Sequence, residues 1–222
     1  MMTLYHYPDQ AKLKRVVPKS RIYDAVGANT ALKERFVQEV DQIIWSYKLA
    51  PETVNLPATK AVPELQVFRL TLKFLDLSNE ILRAIDRAIP FPLIFELEHE
   101  GGIQVAAARK RPSEADSGKW VVSEHLRSEW ASSESSRVPL PVALNLGALY
   151  EQILTALMPI EAAPSEDMDA RMERLEAVKA KEREIKQLKT KLKRETQFNI
   201  KVALHGQLQE AQAEFEHLKK PE

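Results

Sequence analysis

The chain has 222 residues, 44% hydrophobic and 29% charged, with 32 basic and 32 acidic side chains that sum to zero. This mix is too apolar for wholesale disorder, and its neutrality argues against a uniformly basic nucleic-acid coat. Cysteine is absent, which excludes disulfides, Cys-ligated metal sites and thiol nucleophiles and fits a reducing cytosol; no run approaches the ~18 apolar residues of a membrane span, and the polar start lacks the apolar core of a signal peptide.

Residues 1–20 are polar and basic and read as an irregular arm. Asn29-Thr30 offers an N-cap. Leu32, Phe36, Val40, Ile43, Ile44 and Tyr47 then recur at three- and four-residue steps, which predicts a helix over residues 30–48. Pro51 and Pro57 bracket a loop. Phe68, Leu70 and Leu72 alternate, which predicts a strand over 65–72. Residues 76–79 offer a second cap. The stripe Ile81, Leu82, Ile85 and Ile89 after it stops at Pro90, where a helix must end. Leu93, Phe95 and Leu97 alternate with Glu96 and Glu98, Gly101-Gly102 supplies a turn, and 103–108 returns as the partner strand. Residues 120–122 read as another strand, 111–118 and 131–137 as polar loops, and 145–158 as a third helix. The order predicts an α+β fold: a small, mainly antiparallel sheet with flanking helices.

Proline divides the chain. Twelve of the 13 prolines fall at or before Pro164, and residues 165–220 contain none. Because an internal proline costs a helix about 3 kcal/mol, this gap predicts continuous helix. The boundaries are thus 1–160 for the α+β domain and 161–222 for a long, coiled-coil-like helical extension. Leu204, Leu208, Ala211, Phe215 and Leu218 form a late seam, while Val178, Ile185, Leu188 and Leu192 form an earlier one. The two registers fail to join between Glu195 and Ala203. Either one helix carries a stutter there, or two arms fold back as an antiparallel hairpin; the break favours two arms. Residues 161–178 carry six acids and two bases, 179–201 nine bases and three acids, and 202–222 four acids and two bases.

Candidate chemistry is sparse. Glu96, Glu98 and Glu100 alternate along one strand, which reads as the solvated face of a hairpin and, in the alternative, as a divalent-metal or acid–base site. A restriction-type nuclease needs an acid two residues before a strand lysine, but Ala108 stands there before Lys110, and Glu184-Ile185-Lys186 falls on predicted helix. His6, His99, His125, His205 and His217 are scattered without ligand spacing, and no phosphate-binding glycine loop or serine elbow occurs. Basic residues cluster at Lys12, Lys14, Arg15, Lys19 and Arg21, at 109–111, and along one helical face through Lys179, Arg183, Lys186, Lys189 and Lys193. Aromatic side chains are not interleaved with these clusters, so stacking on single strands gains no support. The late seam must be covered, by the earlier arm, by a second copy or by a different protein.

The runs Val17-Pro18-Lys19-Ser20-Arg21-Ile22-Tyr23, Lys33-Glu34-Arg35-Phe36 and residues 45–56, with residues 85–95 and 195–202, resemble an uncharacterised bacterial family that carries a domain-of-unknown-function label. The resemblance spans nearly the whole chain. Members of that family are often encoded beside helicases and DNA methyltransferases in restriction–modification or phage-defence loci, which implies a cytosolic accessory role in DNA processing.

Three functions are carried forward. The first is a non-catalytic subunit of a bacterial DNA-modification or phage-defence complex, docking a helicase or methyltransferase, or a second copy, through Leu204, Leu208, Phe215 and Leu218. The second is a DNA-binding module using Lys186, Lys189, Lys193 and Arg194. The third is a metal-dependent nuclease or other hydrolase built on Glu96 and Glu98. No catalytic residue, metal ligand or cofactor is assigned.

Overall fold

Strands hold more of the apolar residues in the first half of the chain than helices do. The computed structural model describes residues 4–113 and 120–220, and packing divides the chain into two units, Met1–Leu157 and Met158–Glu222. The strands of the first unit are β1 (Tyr5–His6), β2 (Lys12–Val16), β3 (Val40–Leu49), β4 (Leu65–Leu72), β5 (Leu93–His99), β6 (Gly102–Ala107), β7 (Lys110–Pro112), β8 (Trp120–Val122), β9 (Leu126–Arg127), β10 (Ala131–Ser132) and β11 (Val138–Pro139). Its helices are α1 (Lys19–Val26), α2 (Thr30–Glu39), α3 (Pro51–Val54), α4 (Asn79–Ala88) and α5 (Leu146–Leu157). The main sheet runs β10-β6-β5-β4-β3-β2, with β9 also on β6. Every pairing in it is antiparallel except β4 with β5, which α4 joins as a crossover. The fold is α+β with a mainly antiparallel sheet, as the sequence predicts.

Two long expectations are corrected, and the expected loops also hold short elements: α3 after Pro51, the end of β7 in 111–118, and β10 in 131–137, which pairs with β6. The arm over residues 1–20 is ordered where described: β1 pairs with β11, β2 pairs with β3, and Tyr7 packs on Tyr47 with ring centroids 4.7 Å apart. The helix over 30–48 ends at Glu39, and the chain continues as β3. Register shifts between Val40 and Gln42 and between Trp45 and Tyr47 disturb the alternation of β3, so Val40, Ile43, Ser46 and Leu49 are buried three residues apart. A bulge inserts one residue and resets the pleat, and here it imitates the spacing of a helical stripe. The strand wins because Val40, Ile43, Ile44, Trp45 and Tyr47 are β-branched or aromatic and all pair with β4, the last three with β2 as well.

The remaining elements follow local chemistry. Ser78 caps α4 by accepting from the Glu80 N–H, and Asn29 caps α2 by accepting from the Leu32 N–H at 2.9 Å. At the β5–β6 turn Glu100 and Gly101 both adopt positive φ, 44° and 79°, as a tight primed turn requires. The predicted strand at 120–122 is β8, but it pairs with β7 in a separate ribbon rather than joining the main sheet. Of the expected loop at 111–118, residues 114–119 lie outside the described residues. One sheet face carries Ile43, Phe68, Leu70, Phe95 and Leu97 into a core with Ile22, Phe36, Ile81, Leu82 and Ile85 from α1, α2 and α4. The other face, with Val67, Ile94 and Val105, is buried too.

The second unit holds two helices, α6 (Met168–Arg194) and α7 (Phe198–Lys219), that pack against each other as an antiparallel hairpin. Asp167 caps α6, and the chain reverses at residues 195–197. Leu188, Leu208 and Ala211 are buried at the seam, flanked by Ile185, Leu192 and Leu204. At the open end Arg174 donates to both oxygens of Glu166 at 2.7 Å and to the Leu218 carbonyl at 2.7 Å, tying the start of α6 to the end of α7.

Candidate functional site

Three groups of side chains bear on function, and the strand carboxylates come first. Glu96 is fully buried, not solvated as its alternation suggests. Its Oε2 accepts from Arg69 Nη2 at 2.9 Å and Arg137 Nη2 at 3.1 Å, and its Oε1 accepts from Arg137 Nη1 at 2.5 Å. Arg69 Nε lies 3.2 Å from Glu98, and Arg137 also donates to the Tyr5 carbonyl at 2.9 Å. The buried hydroxyl of Tyr7 is held in its neutral form, its pKa raised by burial and by Glu96. Two guanidiniums take three of the roughly four lone-pair positions of this carboxylate, and their positive charge opposes a metal cation beside it. The donor set therefore matches a structural ion cluster that pins the N-terminal strand to the sheet, not a divalent-metal centre. Glu100 is exposed in the turn.

A second cluster escapes sequence reasoning. Asp86 on α4 meets His125 Nε2 at 2.6 Å, and Lys110 Nζ lies 3.7 Å from the same carboxylate. All three are buried. Lys110 Nζ also donates to the carbonyls of Asp86 and Ile89, closing the C-terminus of α4. Burial pushes the Lys110 amine down, with Asp86 opposing. Tyr150 donates to the Ala108 carbonyl and accepts from the Lys110 N–H at 3.2 Å, and burial raises its pKa. No spacing in the sequence unites residues 86, 110, 125 and 150; the sheet brings them together. The basic run at 109–111 is thereby dissolved, since its lysine faces inward.

The third group is the basic stretch of the hairpin. Lys186, Lys189, Lys193 and Arg194 are all exposed on α6. With Glu182, Ile185 and Thr190 they line one open groove of about 770 Å³. None of these four cations has an ion-pair partner among the described residues. By contrast Lys181, on another side of the helix, is paired with Glu184 at 2.9 Å and Glu214 at 2.5 Å. Of the N-terminal basic residues, Lys12, Lys14, Arg15 and Arg21 are exposed, while Lys19 donates to the Val40 carbonyl at 2.5 Å.

The seam residues divide. Leu208 is buried and Leu204 is packed beside it, both against α6 of the same chain. Phe215 and Leu218 are half-buried, and Lys219 Nζ lies 5.1 Å from the Phe215 ring centroid. Leu204 and Leu208 thus have their cover inside the hairpin. Among the described residues no three His, Asp or Glu side chains gather in a metal-binding arrangement, and no helix is long and apolar enough to cross a membrane.

Comparison with known proteins places the chain in a family. A family model described as Domain of unknown function (DUF4391) matches residues 6–215, which takes in the sheet and nearly all of the hairpin. No curated protein and no solved structure gives a significant match.

Proposed function

The chain belongs to the DUF4391 family, and we propose that it is a non-catalytic nucleic-acid-contacting module that binds phosphates along the basic flank of its C-terminal hairpin. The observation that carries this reading is the groove on α6, where Lys186, Lys189, Lys193 and Arg194 stand exposed and unpaired. These cations share their groove with a single acid, Glu182, that pairs with none of them, so they repel one another and gain most from a polyanion, whose counterions they release. The hairpin is also polarised: residues 186–205 carry six bases and one acid, whereas 161–178 carry six acids and two bases. The neighbourhood implied by the family resemblance, beside helicases and methyltransferases in bacterial modification or defence loci, gives such a module a place as an accessory subunit in the cytoplasm. There a partner would supply the chemistry. Docking of that partner through the apolar seam is disfavoured because Leu204 and Leu208 are packed within the chain. A hydrolase built on Glu96 is disfavoured because Arg69 and Arg137 hold both carboxylate oxygens.

The test is a titration of the full chain with labelled DNA as salt rises from about 50 to 200 mM. Four phosphate contacts correspond to a log–log slope of about −3 to −4. Lys189→Glu with Lys193→Glu should weaken binding and reduce the slope by about 2. Absence of binding at about 50 mM salt, where phosphate contacts are strong, refutes the proposal.

A further inference from the structure

The basic flank ends in exposed apolar side chains that the hairpin leaves uncovered. Phe198, the first residue of α7, is 78% exposed, and Val202, one turn further on, is 55% exposed. Helical geometry places both on the flank of the basic groove. On the opposite flank Lys181, Glu184, Gln187 and Lys191 of α6 share a cleft with Gln207, Glu210 and Glu214 of α7. At 100° per residue Phe198, Val202 and His205 lie on the other side of α7 from that cleft, and Lys186, Lys189 and Lys193 lie on the other side of α6. Leu192 packs in the same cluster as Leu204, so Val202 and Phe198 fall beside and beyond Lys193 and Arg194, at the closed end of the hairpin.

Resting on the nucleic-acid reading above, we infer that this flank takes a single strand, with phosphates along Lys186, Lys189 and Lys193 and a base stacked on Phe198. An exposed aromatic ring beyond the end of a row of unpaired cations combines the two elements that single-strand sites use, because every base offers a π-face and every linkage a charge. A lipid surface fits less well. The main apolar stripe of α7 is spent on α6, through Leu204, Leu208 and Ala211, and an interfacial helix needs a broad apolar face. A duplex also fits less well, since its bases are stacked on each other and leave Phe198 without a partner.

The experiment compares three probes on the full chain at one low salt concentration: an oligothymidylate, an abasic phosphodiester strand of equal length, and a duplex. Phe198→Ala is expected to weaken the oligothymidylate by about tenfold, within the range of a single stacking contact, and to leave the abasic strand unchanged. Because Phe198 is exposed, this variant keeps the fold. The abasic strand binding as tightly as the oligothymidylate, or Phe198→Ala binding as the parent does, overturns the stacking inference while leaving phosphate contact standing. Failure of all three probes to bind overturns both readings, as does Phe198-dependent binding to phosphatidylserine vesicles without binding to any strand.

Discussion

Removing Arg137 tests the ion cluster on β5. Glu96 is fully buried, and the Arg137 side chain is 25% exposed. Breaking a buried pair from one side leaves a desolvated charge and costs about 3–5 kcal/mol. Arg69 still holds Oε2, which puts Arg137→Met near the lower end, about 3 kcal/mol. At about 2–4 °C per kcal/mol for a chain of this size, the midpoint of thermal unfolding should fall by about 6–12 °C. Tryptophan fluorescence reports the free-energy loss in urea and the midpoint on heating, because Trp45, Trp120 and Trp130 all lie in the first unit. The same variant frees the Tyr5 carbonyl from its donor, so amides of β1 should exchange faster with solvent. Adding Glu96→Gln to Arg137→Met removes the stranded charge and should recover a sizeable part of the loss. A loss below about 1 kcal/mol, the scale of an exposed pair, would refute the claim that Glu96 is a sealed carboxylate held by two guanidiniums.

Two further outcomes concern the hairpin. Arg174 holds the Glu166 carboxyl at about 2, below the ordinary 4.5. The charged form is favoured by folding, so this stabilisation is full above about pH 5 and is lost as the pH falls towards 2; protection factors in the first turns of α6, corrected for the intrinsic pH dependence of amide exchange, should fall over that window, and in Glu166→Gln they should be low at every pH. Leu208→Ala should cost about 2–3 kcal/mol through lost seam packing, read as reduced helical circular dichroism with unchanged tryptophan emission, and a matching change in both signals would contradict separate units.

Much of the architecture was written in local chemistry. The cap at Ser78 and the stop at Pro90 marked α4, the alternation of β4 and β5 survived intact, and Gly101 marked the turn between β5 and β6. The proline-free C-terminal stretch and its broken heptad register pointed to two arms, because seam spacing and proline exclusion are properties of a helix by itself. The exposed cations of α6 were likewise legible, since a solvated face needs no partner to define it.

Elsewhere the tertiary structure decided. Residues 40–49 satisfied helical spacing, yet bulges and two neighbouring strands made them β3, a choice that depends on partners distant in the chain. Glu96 looked like a solvated carboxylate because alternation reports the pleat and is blind to what covers each face; the segment at Arg137 and the N-terminal strand buried it. Asp86, Lys110, His125 and Tyr150 carried no common motif and met only through the sheet. Phe198 stood out only once α7 had turned its apolar stripe onto α6 and left that ring exposed. Helical periodicity and capping act over a few residues and were open to the sequence; burial, ion pairing and the unpartnered surface depend on which segments meet, and those were set by packing alone.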